Sequence, residues 1–152
     1  MKVTIEVTSD GSEDEVVIKC SEINAQIKKI YQAAKELSEP IKFTFYKHNQ
    51  TFFFPIGDVL FFETEKNTVY AHTADDVFRT KYRLYELENL LPSNFLRISK
   101  SAIANTKHIL SIDKNIASSS LVQFRNSYKK VYVSRLYYKI LKIKLSERSH
   151  LL

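Results

Sequence analysis

Polar and apolar residues alternate from Lys2 to Val7, which predicts a strand, and Val16 to Lys19 predicts a second one beyond the polar turn Thr8 to Asp14. The period then changes. Ser21 is a good N-cap with Glu22 in the first turn behind it. Ile23, Ile27, Ile30, Ala34 and Leu37 follow at steps of four and three, one face of a helix that Ser38-Glu39-Pro40 stops. Such a β-β-α block is too small to bury its own apolar face. Residues 1–40 are therefore expected to be an accessory or dimerisation segment, and residues 41–148 the main domain.

Period two returns at Ile41. Phe43 and Phe45 are separated from Phe52 and Phe54 by a turn pair, Asn49-Gln50. Ile56-Gly57-Asp58 predicts another turn before the apolar run Val59 to Phe62. Asn67 and then Ala74-Asp75-Asp76 mark reversals ahead of Val77 to Lys81. Turns so closely spaced predict an antiparallel meander rather than βαβ units. Arg83 to Leu91 reads as a short helix with Leu84, Leu87 and Leu91 on one face and Pro92 behind it. Phe95 to Ser99 reads as a strand and Ser101 to Asn105 as a turn or short helix. Ile109 to Ile112, Leu121 to Phe124 and Lys130 to Val133 read as further strands, with Asn126-Ser127 as a hairpin turn. Ser134 caps a last helix expected to carry Leu136, Ile140 and Ile143 inward, with Lys139, Lys142 and Arg148 around the rest. The fold class is mainly β, α+β overall.

Composition narrows the function. The 152 residues are 44% hydrophobic and 26% charged, as in an ordinary globular protein. Two glycines leave no phosphate-cradling loop, and ten Phe with nine Tyr favour strands. Cys20 is the one cysteine, so no internal disulfide forms, which fits a reducing cytosol. The N-terminus lacks the apolar stretch of a signal peptide and no segment is apolar enough to span a membrane, so a cytoplasmic protein is expected.

The net charge of +6 is unevenly spread. Residues 1–92 hold 11 Lys and Arg against 15 Asp and Glu, whereas residues 93–152 hold 12 against only Asp113 and Glu147. A folded, strongly basic last third points to a polyanionic partner, with solvated surface charge as the plainer explanation.

Catalytic chemistry finds no footing. His48, His72, His108 and His150 stand singly, without the spacing of a metal site. Asp75-Asp76 sits where acidic residues serve turns, and no nucleophile elbow occurs. No enzyme, metal or cofactor is expected.

The informative segments are Phe95 to Ile109 (FLRISKSAIANTKHI) and Lys129 to Leu145 (KKVYVSRLYYKILKIKL). In both, Arg, Lys, Ser and Asn interrupt apolar residues at turn-prone sites. There, guanidinium, ammonium, amide and hydroxyl groups can meet phosphates and base edges; Ser101 and Asn105 can equally serve only the backbone. The order strand-RI-x-KS-x-I-x-N, then V-x-VSR entering the last helix, resembles the LytTR DNA-binding domain. Upstream, IGDVLFFETEKNTVYAHTADDVFRTKYRLYELENLL is similar to that family's opening strands and short helix, so the likeness runs from about Phe52 to Leu145.

The resemblance implies an elongated fold of small packed β-sheets with short helices, which places loops rather than a recognition helix in successive major grooves of double-stranded DNA. Three loops would make the contacts. The first is Lys66-Asn67-Thr68. The second holds Lys100 beside Arg97, Ser99, Ser101 and Asn105. The third begins at Ser134-Arg135, where relatives carry two basic residues but this chain has Leu136, so that Arg135 acts alone or Lys139 helps. A receiver domain, roughly 100 residues or more, does not fit ahead of the match. The likeness is to short stand-alone regulators whose genes often neighbour a small membrane protein, which is one candidate partner; a homodimer on DNA is another implication. Two alternatives stay open: an adaptor whose basic face binds an acidic protein, and a single-strand binder using Tyr128, Tyr132, Tyr137 and Tyr138.

Overall fold

The computed structural model describes the chain except residues 8, 10, 12–13, 39–40, 115–119 and 151–152, and the side chains of 148–150. It divides into two compact units, Met1–Pro40 and Ile41–Leu152.

In the first unit a helix, α1, runs from Ala25 to Ser38. The Asn24 side chain caps it, its Oδ1 accepting from the Ile27 amide at 3.0 Å, so the helix begins later than Ser21 would have it. The two strands expected at Lys2–Val7 and Val16–Lys19 are absent among the described residues. The physical reason is visible in their exposure: Val3, Ile5 and Val7 are each more than 80% exposed and Val16 and Val17 more than 60%. An alternating pattern stabilises a strand only when one face is buried. The turn expected over Thr8–Asp14 and the helix stop at Glu39-Pro40 fall largely outside the described residues.

Among the described residues the second unit holds ten strands. β1 (Phe45–Lys47) and β2 (Gln50–Phe52) form a hairpin; β3 (Phe61–Glu65), β4 (Thr68–His72) and β5 (Val77–Thr80) follow. A helix, α2 (Leu84–Leu90), leads to β6 (Phe95–Ser99) and β7 (Ala102–Asn105). β8 (Ile109–Lys114), β9 (Ser120–Phe124) and β10 (Lys130–Val133) precede α3 (Arg135–His150). All pairings are antiparallel. One sheet has the order β2-β1-β5-β4-β3-β7-β6, the other β10-β9-β8.

Side-chain alternation divides the interior in two. On one face of the larger sheet Phe45, Phe62, Ile103 and Phe78 pack with Leu84 and Leu87 of α2. On the other, Phe61, Ala102 and Ala104 pack with Val122, Phe124, Val131 and Val133 of the smaller sheet and Leu141 of α3. β3 and β7 are thus covered on both sides. That explains why β7, expected as a turn or short helix, is a strand with all four residues buried: its backbone pairs with β3 and β6 at once.

The last helix is rotated relative to expectation. Leu141 is fully buried and Tyr137, Tyr138 and Leu145 pack beside it, whereas Leu136, Ile140 and Ile143 are 75%, 51% and 61% exposed. The apolar residues of α3 fall on two opposite stripes, and the aromatic pair won the contact with the sheet because it buries more area.

Candidate nucleic-acid interface

Turn chemistry builds the first candidate loop. β3 and β4 pair in register from Phe61–His72 to Glu65–Thr68, leaving a two-residue connection, Lys66-Asn67. Both have positive φ, 46° and 66°, the backbone a tight hairpin with right-handed strand twist needs. Asn tolerates that conformation, and the turn turns both side chains out to solvent. Thr68 begins β4 and is half-buried.

The second loop, Lys100-Ser101, joins β6 to β7. It is held from inside. The Arg97 Nε donates to the Ser99 carbonyl at 2.6 Å, its Nη2 to the Lys100 carbonyl at 2.6 Å, and its Nη1 to Glu88 of α2 at 2.5 Å. The Ser101 amide donates to Ser99 Oγ at 3.1 Å, and the two hydroxyls lie 3.3 Å apart. Lys100 itself projects freely and is exposed.

The third loop is the junction of β10 and α3. Ser134 accepts through its carbonyl from the amides of Tyr137 and Tyr138, the first turn of the helix. Its Oγ is buried with no hydrogen-bond partner among the described residues. Arg135, Leu136 and Lys139 are exposed.

Strand register gathers the three. β7 runs antiparallel to β3 with Glu63 opposite Ala102, and the Thr64 amide donates to the Ser101 carbonyl at 2.8 Å. The Lys66-Asn67 tip therefore stands at the same end of the sheet as the Lys100 tip. The Ser134 amide donates to the Ile98 carbonyl at 2.9 Å, which brings the start of α3 to that end as well. Lys81, which composition and motif did not single out, follows Thr80, the partner of Val69 at this same end, and its ammonium stands 4.8 Å from the Tyr46 ring centroid. Only the pairing register reveals it.

One expected contact residue is turned inward and another is engaged by its own loop. Asn105 is fully buried. Its Oδ1 accepts from Asn94 Nδ2 at 2.8 Å and the Lys107 amide at 3.2 Å, while its Nδ2 donates to the Val59 carbonyl at 3.0 Å. It ties β7 to the turn before β3 and has no face left for a ligand. Arg97 is largely occupied by the turn it braces.

The titratable groups with shifted behaviour lie from the middle of the larger sheet toward its other end. His72 closes β4, stacked on Phe61 with centroids 4.2 Å apart; burial, and secondly the Lys129 charge, push its pKa down to about 4. Glu63 sits 4.0 Å from it and is itself pushed up by burial and by Glu65. Asp76 is held below the usual carboxylate range by the Lys47 ammonium, at 2.5 Å, and the Val77 amide. Lys129 also bonds the Asp76 carbonyl, and Ser127 Oγ donates to the Ala74 carbonyl at 2.8 Å, fastening the β9–β10 hairpin to the larger sheet. No cluster of His, Cys, Asp and Glu suited to a metal occurs among the described residues.

Residues 49–146 match the LytTr DNA-binding domain family. The chain belongs to the LytTR family. A LytTr DNA-binding domain from Bacillus cereus superposes with a TM-score of 0.62 at 28% identity, over 68% of this chain and 94% of that one. An uncharacterized HTH-type transcriptional regulator of Staphylococcus aureus strain NCTC 8325 is 30% identical over 148 residues, 96% of this chain and 99% of its own length. One from strain MRSA252 is 31% identical over 109 residues, 72% and 74% of the two chains. The LytTR match spans all three loops, so they lie on a DNA-binding domain. The helices do not form a helix-turn-helix pair here: β-strands separate α1 from α2 and α2 from α3. No helix among the described residues is long and apolar enough to cross a membrane.

Proposed function

We propose that this LytTR protein is a sequence-specific transcriptional regulator of the cytosol that reads duplex DNA with the three loops at one end of its larger sheet. The observation that carries this reading is the convergence of Lys66-Asn67, Lys100 and Arg135 through the Thr64–Ser101 and Ser134–Ile98 hydrogen bonds. Separate loops on a rigid sheet fit successive turns of a groove, where Asn and Arg can make bidentate base contacts and Lys a contact to guanine. Ser99, Ser101, Thr68, Lys81 and Lys139 surround these as groups that grip the DNA backbone, while Ser134, its hydroxyl buried, fixes the start of the helix that carries Arg135. Asn105 and Arg97 support the loops from within. The relatives' description as transcriptional regulators agrees with this role.

On DNA the protein acts as a homodimer on paired sites, and the exposed apolar residues of the first unit, Ile30 and Leu37 of α1 among them, supply the self-association. Selection from random duplex DNA tests the reading: a defined, repeated motif should be enriched. Affinity for it should fall roughly linearly in log–log terms between about 50 and 200 mM salt. Enrichment of no motif, or preference for single strands or an acidic protein, would replace this reading with one of its rivals.

A further inference from the structure

The third loop holds a group that phosphate chemistry does not explain. Leu136 follows Arg135 in the first turn of α3 and is 75% exposed, although it is one residue from a guanidinium and two from the Ser134–Ile98 hydrogen bond. Its place on the helix is settled by packing. Tyr137, Tyr138, Leu141 and Leu145 turn toward the sheet, so Leu136 is on the opposite side. Cα–Cβ bonds of a helix tilt toward its N-terminus, so the isobutyl group leans toward the end of the molecule where Lys66-Asn67 and Lys100 stand. Ile140 and Ile143 continue the stripe but lie roughly 6 and 10 Å further along the axis, away from that end.

Apolar surface in such a position gains free energy only if something apolar covers it. On the edges of base pairs in a major groove, the apolar group available is the C5-methyl of thymine. We infer that Leu136 is a specificity residue that packs on a thymine methyl beside the base or phosphate held by Arg135. This rests on the DNA-reading role proposed for the loops. It makes the third loop a mixed reader: charge from Arg135, shape and apolar contact from Leu136, with a preference for thymine at one defined position of each half-site.

The test uses the full-length protein and the duplex motif it selects. Each thymine of the motif is replaced singly by deoxyuridine, which removes the methyl and leaves every hydrogen-bonding group in place. One replacement per half-site should weaken wild-type binding about fourfold, the worth of one buried methyl-sized group. Leu136→Ala, at an exposed position and with its melting curve as a fold control, should bind the thymine and deoxyuridine duplexes equally. Loss of the methyl effect in this variant alone assigns the contact. The inference is overturned if wild type binds its motif with no sensitivity to any replacement, if the motif holds no thymine, or if Leu136→Ala keeps the full sensitivity. Failure to select any motif overturns the DNA-reading role itself, and the two failures are thereby distinguished.

Discussion

The amide of Ser134 donates to the carbonyl of Ile98 across 2.9 Å, and this one bond joins the strand that ends in the Lys100 turn to the helix that begins with Arg135. Two side chains 35 positions apart in the chain thus extend from neighbouring backbone, while the Thr64–Ser101 bond adds the Lys66-Asn67 hairpin to the same end.

Substitutions at the loop tips should separate reading from gripping. Arg135→Ala is expected to cost about 1–3 kcal/mol on the selected motif and to relax preference at one position if it meets a base. If it meets phosphate, the loss should be similar on every sequence and the salt slope should fall by about one. Lys100→Ala should weaken binding too, with base contact the expected mode. Filter-binding titrations at several salt concentrations decide between the outcomes; a folded double variant with normal affinity would remove both from the interface.

Arg97 and Asn105 should behave differently from the tips. Asn105→Ala leaves the buried Val59 carbonyl, and the part-buried Lys107 amide and Asn94 Nδ2, without their partner, at about 2–4 kcal/mol of stability. Arg97→Ala frees the Ser99 and Lys100 carbonyls and leaves Glu88 unpaired. It should lower the melting temperature and weaken specific binding by disordering the turn, without the unit change in salt slope that loss of a phosphate contact brings. An Arg97→Ala protein with wild-type stability and a shallower slope would return Arg97 to the DNA surface.

Acidification should destabilise the protein in a defined window. The folded pKa of His72 is about 4, below its ordinary 6.5, because burial opposes the charge and the Lys129 ammonium opposes it further. The unfolded chain therefore takes up this proton first, and stability falls as pH drops from about 6.5 toward 4. Asp76, held low by Lys47, adds a further loss below the usual carboxylate range. Melting temperatures of wild type and His72→Gln across pH 8 to 5 check the sign: the variant should lose the slope between pH 6.5 and 5.

The unit Ile41–Leu152 should fold by itself. Both buried clusters draw on residues from Phe43 onward and on none of the first 40. A chain starting at Ile41 is expected to melt cooperatively near the full chain's temperature and to keep its affinity for a single half-site, while losing the self-association assigned to α1. Sedimentation of the two chains at several concentrations gives the comparison; an unchanged dimer in the shorter chain would move the dimer contact into the β-domain.

Amino-acid order alone determined the parts of this protein that depend on neighbours in the chain. Period-two alternation marked the meander of strands, Asn67 marked a hairpin whose backbone demands positive φ, Pro92 closed α2, and the run of basic residues after it marked an anionic partner. The LytTR likeness, carried by RI-x-KS-x-I-x-N and V-x-VSR, was legible for the same reason, since the residues within each motif are close together in the chain. Long-range packing decided the rest. Lys2–Val7 and Val16–Lys19 had the alternation of strands, but their apolar side chains stay exposed and no strand forms there among the described residues. Ser101–Asn105 looked like a turn because its polar ends hid a strand covered on both faces. Asn105 carried the chemistry of a contact residue, yet a partner far off in the chain, Val59, holds it in the interior, and Arg97 spends its guanidinium on Glu88 and on the Ser99 and Lys100 carbonyls. α3 offered two apolar stripes, and only the opposing sheet selected Leu141 with its flanking tyrosines and left Leu136 outside, because burial is a property of what a side chain meets rather than of its spacing.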